Sequence, residues 1–309
     1  MKLIILGNGF DLHHKYPTSF YDFRMHLKNS PKDEDHNLVS EIDKLIKVSE
    51  DDQKIQLLWN DFESIIGKTF NSTGKNHDTN IIILIEEFTQ KFYKYLLGLA
   101  ELNEPIKNKK LAIEFESASS VLTFNYTQFY KSYFNDGNID VFHIHGGLAE
   151  SNLPIIGFYY PNTNITTQSF DFAKRYGGKL LHKPALAYKQ NEIDLDANID
   201  KFTNKWRNKI TDIVIMGYSF GESDRHIFKI LNSILIKQIN EINVPSSIAK
   251  KIKLINIAIY SYKDEESEGI IRVMKHFLKG QGRRFSVNVT GLGFTTPEKD
   301  ILTFELKKY

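Results

Sequence analysis

The chain has 309 residues, of which 41% are hydrophobic and 25% are charged, as in an ordinary soluble globular protein. Its formal net charge of +2 provides no general attraction to nucleic acid or to an anionic membrane surface. It contains no cysteine, which excludes disulfides, cysteine-bound zinc and a cysteine nucleophile.

Neither a membrane span nor a secretory leader is predicted. No apolar stretch reaches the length that crosses a bilayer. Near the N-terminus a lysine is followed by only a short apolar run before glycine, which is not the apolar core of a signal peptide. We therefore expect a cytoplasmic protein that does not contact a membrane.

The first predicted strand is a short apolar segment, residues 2–6, that runs directly into a glycine-rich loop. A continuous apolar run bounded by glycine is typical of a strand buried on both faces of a parallel sheet. Gly7 and Gly9 allow a sharp turn and a close approach of a ligand, and nucleotides bind at this first junction in doubly wound folds. The dinucleotide fingerprint is incomplete, since Leu12 occupies the position of its third glycine.

A helical block follows. Thr18 or Ser19 is a good N-cap for a helix that runs to about Leu27, and residues 53–70 predict another helix. A further helix carries apolar side chains three or four residues apart: Ile81, Ile85, Phe88, Phe92, Leu96 and Leu99. We interpret residues 25–115, with approximate bounds, as a helical insertion after the first strand of a single α/β domain. This domain covers residues 1–309, and its sheet core comes from residues 1–24 and 116–309.

The second half of the chain alternates between strand-like and helical patterns. The strand-like segments are residues 120–124, 140–144, 212–216, 253–260 and 285–289, with residues 301–306 as a candidate edge strand. Strands that alternate with helices indicate a parallel sheet joined by right-handed crossovers. The fold class is therefore predicted to be α/β, with a Rossmann-like parallel sheet of about six strands.

Four of the predicted strand ends are unusual. They are glycine-rich or carry small polar residues, at positions 7–11, 124–127, 143–147 and 217–224. Ligands of open α/β sheets bind at the carboxyl ends of the strands. If the sheet forms as predicted, the four segments lie along one edge and surround one site.

Three side chains at these ends could carry chemistry. His145 precedes two glycines and could act as a general base or bond a backbone carbonyl, and strand alternation would place His143 on the same face. Asn125 could hold a ribose hydroxyl or a water, or it could cap the following helix. Asp11 could stabilise a cationic sugar or bind a ribose diol, or it could cap a helix or a turn.

The last of the four segments also matches a nucleophile elbow. Residues 217–221 read G-x-S-x-G between a predicted strand and a predicted helix, with Ser219 as the candidate nucleophile of an esterase. Asp264 and His276 are the candidate acid and base, although His276 falls in a predicted helix and not on a loop. The alternative for Ser219 is a helix N-terminus that binds an anion.

These motifs together resemble the bacteriophage abortive-infection AbiH family, and the order and spacing of the matching residues cover the chain from end to end. The matching residues are Gly7–Leu12, Tyr16–Ser19, Phe23, Phe124–Thr127, His143–Gly146 and Gly217–Asp224. Residues 59–63 also resemble a family element, which makes Glu63 a secondary site candidate.

At a greater distance the same order is similar to the sirtuin NAD-binding core. This resemblance implies that Asn125 contacts the nicotinamide ribose, that His145 is the base and that Ser219 contacts the phosphate or adenosine side. Two departures are that Asp11 replaces a serine and Thr127 replaces an aspartate. The missing cysteines remove the zinc module, so the resemblance implies cleavage of the nicotinamide–ribose bond by water and disfavours lysine deacylation.

The predicted function is anti-phage defence through NAD hydrolysis, with His145, Asn125 and Asp11 as the catalytic set. The predicted nucleotide-binding set is Gly7, Asn8, Gly9, Phe10, Tyr126, Gly146, Gly217, Ser219 and Asp224. NAD is the predicted substrate, and no metal, resident cofactor or nucleic-acid partner is predicted. A second copy of the chain or a phage-derived trigger are the candidate protein partners. The alternatives are a nucleotide sensor without turnover, the serine esterase, and a nuclease, for which the sequence offers no acidic metal cluster.

Overall fold

The computed structural model describes residues 1–48, 52–66, 79–100, 109–134, 139–148, 154, 156, 210–218, 255–261, 284–291 and 299–305. Its strands are β1 (Lys2–Leu6), β2 (Ser120–Thr123), β3 (Asp140–His143), β4 (Asp212–Met216), β5 (Ile255–Ser261), β6 (Arg284–Gly291) and β7 (Lys299–Glu305). The helices are α1 (Asn8–His13), α2 (Phe20–Lys28), α3 (Asp33–Leu45), α4 (Asp52–Asn60), α5 (62–66), α6 (Thr79–Ala100) and α7 (Lys109–Glu116). A 3₁₀ helix covers Phe129–Tyr133.

The strands form one sheet in the order β3-β2-β1-β4-β5-β6-β7. All neighbours from β3 to β6 pair in parallel, and β7 pairs antiparallel with β6. The order of the first six strands is that of the Rossmann fold, and the direction of winding reverses between β1 and β4. The predicted α/β class and parallel sheet are confirmed, while the sheet has seven strands in place of about six.

Strand β1 is central because it is apolar on both faces. Leu3, Ile4, Ile5 and Leu6 are buried, and Ile4 is in register with Val121 of β2 and with Val214 of β4. A strand with covered faces on both sides is what the unbroken apolar run predicts. The centre of the sheet therefore brings the loop after β1 between the loops that follow β2 and β4.

The helical residues between β1 and β2 build their own apolar cluster. Phe23, Trp59, Phe62, Phe88 and Phe92 are fully buried in it. The predicted stripe along α6 packs into this cluster through its described members, whereas the side chain of Ile81 lies outside the described residues. The single-domain organisation and the bounds of the insertion stay predictions.

The structure fixes the start of α2 and divides the helix that was predicted over residues 53–70. Ser19 is the N-cap of α2, and its hydroxyl accepts from the Asp22 N–H while the Asp22 carboxylate accepts from the Ser19 N–H. This capping box fixes where α2 begins.

The single helix predicted over residues 53–70 is interrupted at Asp61, which forms a turn between α4 and α5, and residues 67–70 lie outside the described ranges. No helix within the described ranges is both long enough and apolar enough to cross a membrane.

Candidate functional site

The loops that follow β1, β2 and β4 line a cavity of about 780 Å³. It lies at the point where the strand order reverses, which is where open α/β sheets bind ligands. These loops and the turn after β3 contribute Asn8, Gly9, Phe124, Asn125, Tyr126, His145, Gly217 and Tyr218 to its lining. The four predicted segments are thus brought together as far as the structure describes them.

The loops after β1 and β4 touch backbone to backbone. The Gly9 N–H donates to Gly217 O at 2.8 Å, and the Gly7 N–H donates to Met216 O at 3.0 Å. A Cβ on Gly217 would lie 2.1 Å from the Phe10 nitrogen, and the φ of +59° at Gly217 favours glycine. These glycines are required by the contact between the loops. Gly9 and Gly217 also line the cavity, whereas Gly7 does not.

Asn8 is an exposed residue of the lining whose side chain is held by the start of α2. The Thr18 hydroxyl donates to Asn8 Oδ1 at 2.7 Å, and Thr18 is itself buried. Because Thr18 directly precedes the N-cap Ser19, the capping box of α2 also fixes the position of Asn8. This contact joins the segment before α2 to the first residue of α1.

Asp11 is buried behind the cavity and bonds two residues of the β2 loop. Its exposed fraction is 1%, and it does not line the cavity. Asn125 Nδ2 donates to Asp11 Oδ1 at 2.8 Å, and the Thr127 hydroxyl donates to Asp11 Oδ2 at 2.5 Å. Burial raises the pKa of Asp11 to about 7, although the hydrogen bonds from Thr127 and Asn125 favour the ionised form. The N-cap of α1 is Gly7, so Asp11 does not cap that helix.

Asn125 is held on three sides and lines the cavity. Its N–H donates to the Thr123 hydroxyl oxygen at 3.0 Å, and its carbonyl accepts from His143 Nδ1 at 3.3 Å. Its side-chain amide donates to Asp11, as described above. The Asn125 Oδ1 atom is buried and has no hydrogen-bond partner among the residues that the structure describes. A buried acceptor without a partner costs about 1–3 kcal/mol, which a ligand that donates a hydrogen bond would recover.

His143 and His145 have different contacts in the structure. Strand β3 ends at His143, and the next two residues form a turn, so the alternation of side chains does not extend to His145. His143 Nε2 is 2.5 Å from the Tyr130 hydroxyl, and burial lowers the pKa of His143 to about 4. Since neutral His143 donates from Nδ1 to a carbonyl, Nε2 accepts from Tyr130. His143 is a structural residue beneath the site.

His145 lies in the cavity lining among aromatic rings. Its ring centroid is 5.5 Å from that of Phe124 in an edge-to-face arrangement and 6.2 Å from that of Tyr126. Phe124 in turn stacks on Tyr218 with 4.2 Å between the ring centroids. Aromatic pairs at such distances are favourable and hold one another in position. They join the loops after β2 and β4 around the histidine.

Sequence reasoning missed the part of the lining that comes from the helical segments. The missed residues are Leu12, Lys15, Tyr16, Pro17, Thr18, Ser19, Phe20, Asp22, Gln56, Asn60, Asp61, Ser64 and Phe92, and beside them the lining includes Glu63, which the sequence named as a secondary candidate. The charged side chains among them are three carboxylates and one lysine. In the sequence, only the resemblance of residues 16–19 and 59–63 to the AbiH family pointed to this part of the lining.

Several predicted site residues are placed elsewhere or lie outside the described residues. Phe10 is 2% exposed and packs against Phe115 and Tyr133, away from the cavity lining, and Gly146 also does not line the cavity. The candidates outside the described residues are Ser219, Asp224, Asp264 and His276. Within the described ranges no group of three histidine or carboxylate residues is placed to hold a metal ion.

The strand order and the cavity at its reversal define a Rossmann-like α/β protein with a ligand-sized site at the switch point. The sequence matches the family described as Bacteriophage abortive infection AbiH over residues 3–93 and 70–244, which together cover more than half of the chain. The chain therefore belongs to the AbiH family. This membership supports a role in bacteriophage abortive infection. No curated protein sequence matches the chain.

Proposed function

We propose that this AbiH protein binds NAD in the cavity at the switch point and hydrolyses its nicotinamide–ribose bond during phage infection. The observation that carries the proposal is that one cavity collects Asn8, Asn125 and His145 at the carboxyl ends of a Rossmann-ordered sheet. The similarity of the motif order to the sirtuin NAD-binding core favours NAD over other nucleotides.

The cavity suits a nucleotide in size and in the chemistry of its lining. Its volume of about 780 Å³ falls within the range of roughly 300–1,000 Å³ that is usual for small-molecule sites. Aromatic rings at Phe124 and Tyr126 suit the flat nicotinamide ring, while the amides of Asn8 and Asn125 suit sugar hydroxyls. Ser219 remains the candidate for a contact to the phosphate or adenosine side, and Asp224 remains a candidate nucleotide-binding residue without an assigned contact.

The proposed reaction has NAD and water as its only reactants. Water attacks C1′ of the nicotinamide ribose as the C1′–nitrogen bond breaks, and the electron pair of that bond neutralises the nicotinamide ring. His145 accepts the proton that the attacking water loses, as a general base. Asn125 holds the ribose so that C1′ faces the water. The products are nicotinamide, ADP-ribose and a proton.

The test measures NAD and its products with the purified protein and in infected cells. Wild-type protein should convert NAD to equal amounts of nicotinamide and ADP-ribose, and cells that carry it should lose NAD after phage infection. His145→Ala should abolish both effects in protein that still unfolds cooperatively, although loss of this buried ring lowers the melting temperature. The matched control is His36→Ala, which removes an exposed histidine from α3 and should behave as wild type.

Two other outcomes would contradict the proposal and identify its alternatives. Binding of NAD without product, together with protection from phage that survives His145→Ala, would indicate a nucleotide sensor. Labelling of Ser219 by a fluorophosphonate, together with ester hydrolysis, would indicate a serine esterase.

A further inference from the structure

Asp11 of α1 and Asn125 of the loop after β2 form a buried contact, although they are 114 positions apart in the chain. Asn125 lines the cavity, whereas Asp11 does not. Asn125 Nδ2 donates to Asp11 Oδ1 at 2.8 Å, and when Asp11 is ionised no other orientation of the amide is possible, since a carboxylate can only accept hydrogen bonds. The orientation of the Asn125 amide is therefore determined by Asp11.

This orientation leaves Oδ1 as the other polar atom of the Asn125 side chain. Oδ1 is buried and lacks a hydrogen-bond partner among the described residues. The backbone of Asn125 is fixed as well, because His143 and Thr123 bond its carbonyl and its N–H. The side chain can exchange its two ends only by breaking the bond to Asp11 and placing two acceptors together.

We propose that Asp11 is a positioning residue that fixes Asn125 with its amide oxygen as the acceptor for a ribose hydroxyl of the ligand. Asp11 acts through Asn125 and does not contact the sugar. The hydroxyl donor makes the site select a ribosyl ligand over its deoxy counterpart. This inference rests on the proposed nucleotide site and identifies a ribose hydroxyl as the group that donates a hydrogen bond to Asn125.

The bond to Thr127 completes the arrangement. The Thr127 hydroxyl donates to Asp11 Oδ2 and keeps Oδ1 turned toward Asn125. Asparagine at position 11 can reproduce both contacts, since its Oδ1 accepts from Asn125 and its NH₂ donates to the Thr127 oxygen. Leucine at position 11 has a similar volume and reproduces neither contact. Asp11→Asn therefore removes the charge but keeps the orientation of the Asn125 amide, whereas Asp11→Leu removes both.

The test compares the binding of three ligands by calorimetry above about pH 7, where Asp11 is ionised. The parent ligand is carbocyclic NAD, whose ribose ring oxygen is replaced by a CH₂ group so that it is not hydrolysed, and the others lack its 2′ or its 3′ hydroxyl on the nicotinamide side. In wild-type protein at least one deoxy ligand should bind about tenfold more weakly than the parent. Asp11→Leu should remove this difference, and Asp11→Asn should keep it within about threefold of the wild-type ratio.

The matched control for loss of a buried carboxylate is Asp35→Leu, because Asp35 is also buried and bonded but lies on α3 and does not line the cavity. This variant should lower the melting temperature without changing the selectivity. Loss of selectivity in Asp11→Asn would overturn the inference by showing that the charge itself matters, and this result does not depend on whether Asp11→Leu folds. Retained selectivity in a folded Asp11→Leu protein would overturn it too.

The same measurements distinguish this inference from the proposed reaction. Selective binding with no hydrolysis of NAD by the wild-type protein would support the positioning role and reject the hydrolase. Hydrolysis of NAD with equal affinity for the parent and both deoxy ligands would reject the positioning role and leave the hydrolase. Failure of wild-type protein to bind the parent ligand would reject both.

Discussion

Replacing Asp11 by asparagine tests the buried carboxyl group through the pH dependence of stability. Burial raises the pKa of Asp11 to about 7 in the folded protein, against 3.8 for the ordinary side chain, and the bonds from Thr127 and Asn125 offset only part of this rise. Between these two values the folded chain holds a proton that the unfolded chain has released. The free energy of unfolding therefore falls as the pH rises across this window.

The size of the effect follows from the shift in pKa. A rise of roughly three pKa units corresponds to about 4 kcal/mol, which is an upper value for a single group. This contribution is fully present below about pH 4 and is lost once the pH exceeds about 7. Asparagine keeps the shape of the side chain but has no proton to release, so the Asp11→Asn protein should lack this part of the pH dependence.

The assay is urea unfolding followed by circular dichroism, with wild type and Asp11→Asn compared from about pH 4 to about pH 8. The difference in unfolding free energy should change by a few kcal/mol in favour of the variant as the pH rises. Asp35→Asn is the control that should give curves parallel to wild type over this range, because hydrogen bonds from Lys91 and Ser30 outweigh its burial, its pKa is lowered from 3.8, and it therefore titrates below about pH 4. Parallel curves for wild type and Asp11→Asn would refute the reasoning, since they would mean that folding does not change the affinity of Asp11 for its proton.

Two further predictions concern the backbone contact at the switch point and the support beneath the site. Gly217→Ala should destabilise the protein by more than about 3 kcal/mol, because its Cβ would meet the Phe10 nitrogen at 2.1 Å, whereas Gly98→Ala, which meets no atom within 4 Å on α6, should be neutral or stabilise by up to about 1 kcal/mol. Thermal melting of the two variants checks this, and equal melting temperatures would contradict it. Tyr130→Phe should cost about 1–3 kcal/mol in urea unfolding, since it leaves the buried His143 Nε2 without the donor described here. An unchanged unfolding free energy would show that this bond contributes nothing.

The elements that follow from a local sequence pattern could be predicted from the sequence. The unbroken apolar run before Gly7 predicts a central strand because both faces of such a strand must be covered, and β1 is central. The stripe on α6 follows from the helical period, and its described members are buried together. The loops rich in glycine and small polar residues predicted the edge of the sheet where the cavity lies.

The parts of the site that depend on distant contacts could not be predicted. The bond between Asp11 and Asn125 joins positions 114 apart, and no local pattern encodes it. The separation of His143 from His145 depends on where β3 stops, and strand ends follow from pairing with neighbours more than from the strand's own residues. The turn at Asp61 interrupts a helical pattern that is continuous in the sequence.

Three backbone N–H groups after β1 already donate hydrogen bonds within the protein, which limits the contacts they could make to a phosphate. The N–H groups of Gly7, Gly9 and Phe10 donate to Met216 O, Gly217 O and Gly7 O, so none of the three is available to grip a phosphate as the amides of a phosphate-binding loop do. The proposed NAD site therefore requires that the charge of the phosphates be neutralised by groups other than these three amides. These glycines instead hold the ends of β1 and β4 together through direct backbone contacts.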